Sequence, residues 1–242
     1  MRAEFLKVRS LPTPRWCLIV LAGFFVIGLV CSTIWGLGPD RDLTDVTIGF
    51  PMTIASIVFG VWIVGLEYGQ KTMRQVLTAD PRRGHLILRK LAVGAITITA
   101  TLVILYLVSI AAFGLAAAIF HGQSFSAEFL LRSAADNLMN CLIYAALGAG
   151  FALLTASMAG GMTIALVFIF VLDTIIAIIP KAENFSFGVA ITDISDSIRG
   201  SSGVFGGDAG THSVAVAALI VVGWLLVLIG AGFARFWNSD VK

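Results

Sequence analysis

The chain is 242 residues long, with 58% hydrophobic residues, only 12% charged and a formal net charge of +2; its mean hydropathy is +0.97. That balance excludes an ordinary soluble domain. Cys17, Cys31 and Cys141, its three cysteines, lie in or beside apolar runs, which excludes a disulfide framework in an outer loop and leaves packing as the role of each.

The first fifteen residues set Phe5, Leu6, Val8 and Leu11 among Glu4, Lys7 and Arg9 before "PTPRW" breaks the pattern. This predicts an amphipathic interface helix over 1–15, flat on the inner leaflet, with Trp16 at the interface. Six apolar blocks follow: Trp16 to Leu37, Thr47 to Leu66, Leu91 to Phe120, Leu138 to Met158, Met162 to Ile179 and Val214 to Phe233. A hydrocarbon core about 30 Å thick needs roughly 20 helical residues, and each block is of that order. None alternates in polarity as a membrane β-strand would. The expected fold is an all-α membrane protein, a single transmembrane domain over 1–242 with six transmembrane helices and both termini cytoplasmic. The first block is longer than a secretory signal core and no small-x-small cleavage site follows it, so it is read as a retained span.

Orientation follows from the basic residues, which are retained in the cytoplasm near span ends. With the N-terminus inside, twelve of the 16 lysines and arginines are cytoplasmic, and Arg41, Arg132, Lys181 and Arg199 are outside. The longest cytoplasmic connection is then 67–90, "EYGQKTMRQVLTADPRRGHLILRK". Met73, Val76 and Leu77 recur on one helical face while Lys71, Arg74 and Gln75 point elsewhere, a short amphipathic helix. Asp80 and Pro81 end it and start another helix. Two readings stand: a basic helix resting on anionic lipid, or a docking element for a cytoplasmic partner.

The third block is about ten residues longer than a crossing requires and must tilt or project. In the fourth, Asn137, Asn140 and Tyr144 share a helical face; the small residues of "ALGAGFALLTASMAGG" permit close helix approach, and Gly160 with Gly161 predicts the tight turn into span five. Asp173 is the ionisable residue inside the fifth block. A carboxylate there costs on the order of 2.5 to 3.5 kcal/mol and faces a bundle interior or wet cavity. It either lines a translocation route, with Asn140 and Tyr144 as further path candidates, or hydrogen-bonds to Thr174, Asn140 or a neighbouring helix. The outer loop 180–212 is acidic at Asp193 and Asp196 and then glycine-rich; "GVAITDISDSI" has enough apolar residues for a short helix. His85, His121 and His212 lie in separate loops, and each reads as a loop or interface residue.

Three stretches carry a resemblance. "EYGQKTMRQVLTADPRRGHLILRKL" resembles the segment after the second span in permeases of type 2 ATP-binding-cassette exporters, at Glu67, Thr72, Arg74, Leu77, Arg83 and Lys90. "AEFLKVRS" resembles the N-terminal interface helix of that family and "ARFWNSDVK" its closing motif, with Ser239 where an arginine is common. The resemblance implies that the loop between spans two and three carries a coupling helix seated on a separate ATP-binding subunit. Glu67, Thr72, Met73, Arg74, Val76, Leu77, Arg82 and Arg83 are the contacts it implies, with Lys7 and Arg9 secondary. It further implies a second permease copy or a homologous permease, and outward transport of an amphiphilic antibiotic, peptide or lipid across a bacterial inner membrane.

The chain has no G-x-x-x-x-G-K-[ST] phosphate loop, so ATP and Mg are expected on the partner subunit, with no cofactor and no metal here. It has neither an H-E-x-x-H nor a G-x-S-x-G motif, and no enzyme activity is expected of this chain. Membrane lipid is an expected partner and nucleic acid is not. The alternative function is a proton-coupled secondary transporter using Asp173, although the paired repeats or broken half-helices that would accompany it are not evident.

Overall fold

The computed structural model describes residues 49–70, 83–120, 127–200 and 212–238, together with Ile19, Gly23 and Thr72. The expected interface helix with Lys7 and Arg9, nearly all of the first block, and Met73, Arg74, Val76, Leu77 and Arg82 lie outside the described residues. Helices α1 (Phe50–Gly69), α2 (Arg83–Phe120), α3 (Ala127–Thr155) and α4 (Met158–Val167) come first. A π-helix (Phe168–Leu172) runs on into α5 (Asp173–Ile178), and α6 (Phe187–Arg199) and α7 (Val214–Asn238) complete the order. The described residues contain no strand.

Among the described residues, five helical runs are long and apolar enough to cross a membrane: Pro51–Gly69, Ile87–Ile104, Leu131–Thr155, Met158–Ile178 and Val214–Arg235. The described residues are thus all-helical, and their apolar helices mark a membrane-embedded protein. Its outward faces agree, since Leu107, Phe170, Ile175, Leu219 and Leu226 are all exposed. Apolar surface on that scale suits hydrocarbon and not water.

α1 carries the most buried of these crossings, with Pro51 in its first turn, where the missing N–H costs nothing. It lies against α3 at backbone distance. A Cβ on Gly60 would fall 2.1 Å from the Ala145 carbonyl oxygen, and one on Gly148 would fall 2.5 Å from that of Ile57. Lipid provides no hydrophobic force between helices, so close van der Waals contact through small residues must hold them together. Trp62, Val61, Val93, Leu147 and Leu153 fill the core around that crossing.

Three boundaries differ from the sequence reading. α2 begins at Arg83, so the last eight residues of the expected 67–90 loop are helical; at 38 residues it is about 57 Å long. α3 begins at Ala127, beyond the apolar run, and in that extension Glu128 and Arg132 pair one turn apart at 2.7 Å. The α3–α4 turn lies at Ala156, with φ of 51°, and Ser157, whose Oγ accepts from the Gly160 N–H at 3.2 Å as an N-cap. Gly160 and Gly161 are thus already helical, and Gly161 serves packing: a Cβ there would lie 2.8 Å from Ala152 Cα. The 180–212 loop contains the expected short helix, α6, capped by Ser186 and ended by Gly200 in the left-handed conformation.

Candidate functional site

α6 is amphipathic and buries Phe187, Ala190, Ile191 and Ile194. It packs against α3, α5 and α7. Its first turn lies deep: Phe187 meets the Tyr144 ring edge-on at 5.8 Å, and Trp224, about 15 Å along α7, donates its indole N–H to the Phe185 carbonyl at 2.9 Å. α6 therefore runs from the level of Tyr144 at its N-terminus to the end of the bundle that bears Asp136.

A helix start placed there exposes backbone N–H groups with no water to satisfy them. Asp173 supplies the acceptors. Its Oδ1 accepts from Ser186 Oγ at 3.0 Å and from the Phe187 N–H at 2.8 Å, while Oδ2 accepts from the Gly188 N–H at 2.8 Å. Ser186 Oγ in turn accepts from the Val189 N–H at 3.2 Å. A carboxylate at the positive end of the helix dipole is the favourable partner for this arrangement. Asp173 directly follows the π-helix, whose extra residue per turn sets where the carboxylate points. The same segment buries Phe168 among Phe151, Phe187 and Trp224, with ring centroids 5.4, 6.3 and 5.1 Å away.

Further along, Asn140 Nδ2 donates to Ser195 Oγ and to Asp136 Oδ1, each at 3.2 Å. Asp136 is fully buried and pairs with Arg199, whose Nε donates to its Oδ2 at 2.6 Å. Beside them Asp193 Oδ2 accepts from the His212 N–H at 3.1 Å and stands 2.8 Å from His212 Nδ1. The three path candidates Asp173, Asn140 and Tyr144 are thus brought together by one partner, α6. Asp173 is hydrogen-bonded to a neighbouring helix, through Ser186, Phe187 and Gly188 at the start of α6. Asp136, Arg199, Ser186 and Gly188 were missed; serine immediately before an amphipathic run was the available signal for the cap.

At the opposite end of the bundle, Glu67 in the last turns of α1 and Lys90 in α2 form an ion pair, each only 2% exposed. Lys90 Nζ also donates to the Ile63 carbonyl at 2.9 Å. The pair closes the two ends of the 67–90 connection on each other. Thr72 is drawn in as well, its N–H donating to the Glu67 carbonyl at 3.0 Å. Nearby, the Arg235 guanidinium of α7 donates to the Leu154 carbonyl of α3. Arg83 is the first residue of α2.

Among the described residues no group of three His, Cys, Asp or Glu side chains is placed to hold a metal. Comparison of the chain with family models, curated proteins and solved structures returned no match.

Proposed function

We propose that this chain is the membrane-spanning permease subunit of a type 2 ATP-binding-cassette transporter, exporting an amphiphilic compound with energy from a separate ATP-binding subunit. In this reading the chain has six spans, both termini are cytoplasmic, and two permeases assemble with two ATP-binding subunits at the cell membrane. The observation that carries it is the buried Glu67–Lys90 pair. It joins α1 to α2 at the root of the segment whose sequence resembles a coupling helix, so a push delivered there moves both helices together. Breaking such a pair strands a charge and costs about 3–5 kcal/mol, which makes the joint stiff.

Glu67 then acts from within the permease, fixing the loop, while Met73, Arg74, Val76, Leu77, Arg82 and Arg83 remain the proposed contacts with the motor and Lys7 and Arg9 the secondary ones. Closure of the motor biases the permease from inward-open to outward-open by contacting the two states differently. The proton-coupled alternative gains no support, because both oxygens of Asp173 are occupied by the start of α6.

The test is co-purification with an ATP-binding subunit encoded beside this chain, followed by ATPase assay of the reconstituted complex. Met73→Asp with Leu77→Asp should abolish the association while leaving the permease folded. Retention of the ATPase by that variant, or intact ATP-driven transport, overturns the proposal.

A further inference from the structure

Between α1, α2 and α3 lies a cavity of about 260 Å³. Phe59 and Ile63 line it from α1, Leu91 and Gly94 from α2, Leu142 and Ala146 from α3, and no polar side chain faces it. The space exists because Gly94 and Ala146 are small. On α2 it falls within the Ile87–Ile104 crossing, next to Leu88 and Ile96, which are 67% and 49% exposed. At one end, the Ile63 carbonyl that accepts from Lys90 and the Leu91 that follows Lys90 set the cavity beside the buried ion pair.

An apolar lining rejects any ligand that needs hydrogen bonds, and water without polar partners does not stay. Hydrocarbon does: apolar cavities of about 150 Å³ already hold benzene, and this one is larger. The cavity also adjoins the strip of α2 that faces lipid, so the hydrocarbon nearest to it is bilayer itself. We propose that it seats one acyl chain of a membrane phospholipid, wedged between α1 and α2 beside the Glu67–Lys90 joint. The seat depends on membrane embedding and is independent of which motor, if any, drives the chain.

The full chain is reconstituted in phosphatidylethanolamine and phosphatidylglycerol vesicles doped with a phospholipid bearing a diazirine on its acyl chain, irradiated, and mapped by mass spectrometry. Adducts on residues 59–63, 91–98 and 142–146 should exceed those on the exposed faces around Ile175 and Leu226 several-fold. Gly94→Leu and Ala146→Leu should each reduce them to that background. At position 94 the first side-chain carbon of the leucine would lie 3.5 Å from Ile63 Cδ1, an ordinary contact. Equal labelling of all faces overturns the proposal, as does labelling that survives both filling variants. So does labelling by a single-chain diazirine amphiphile but not by the phospholipid, which would assign the cavity to the tail of a cargo.

Discussion

Asp173 Oδ2 accepts from the Gly188 backbone N–H at 2.8 Å, and a Cβ at Gly188 would fall 2.5 Å from the same oxygen. The contact binds the last third of the fifth crossing to the first turn of α6, and a side chain at 188 would force the carboxylate to shift. Glycine at 188 lets the carboxylate sit there without displacement.

Asp173→Ala is therefore expected to lower stability by about 3 kcal/mol, because it removes charge-assisted bonds and orphans buried N–H groups. Asp173→Asn, which retains one acceptor, should cost about half as much. Gly188→Ala should cost about 1–3 kcal/mol by overpacking. Thermal unfolding in detergent reads the order, and limited proteolysis should show cleavage shifting toward α6.

Glu67 and Lys90 should reveal themselves through non-additivity. Glu67→Gln or Lys90→Met alone leaves one charge buried and should cost about 3–5 kcal/mol, whereas the double variant should recover most of that loss. A double-mutant cycle on unfolding midpoints measures the coupling; additive losses would mean the pair is not a unit.

The same logic applies at the other end of the bundle with a softer outcome. Asp136 is fully buried while Arg199 is partly exposed. Arg199→Ala should cost about 2–4 kcal/mol by leaving a buried carboxylate unpaired, and Arg199→Lys should restore only part of it, since an ammonium lacks the guanidinium fork. Cysteine accessibility at Ser195 should rise in the alanine variant as α6 loosens.

Glycines separate by position. Gly60→Ala and Gly148→Ala place a carbon 2.1 and 2.5 Å from a facing carbonyl oxygen and should be among the most destabilising single-methyl changes in the chain. Gly223→Ala and Gly230→Ala meet nothing within 4 Å and should be neutral or stabilising by up to about 1 kcal/mol. Parallel melting curves of the four variants test the contrast.

Sequence by itself determined that the chain is helical and embedded in a membrane, because hydrocarbon demands long apolar runs and those runs are visible residue by residue. It also singled out Asp173, Asn140 and Tyr144, since polar groups are conspicuous in lipid. Only the tertiary structure decided what they touch. That Asp173 caps α6, that Asp136 meets Arg199 63 positions away and that Glu67 meets Lys90 23 away depend on which helices lie side by side. Apolar periodicity is nearly silent on that point, because every face of such helices is greasy. Helix order is set instead by where glycines admit a neighbouring backbone and where a buried charge finds its counter-charge.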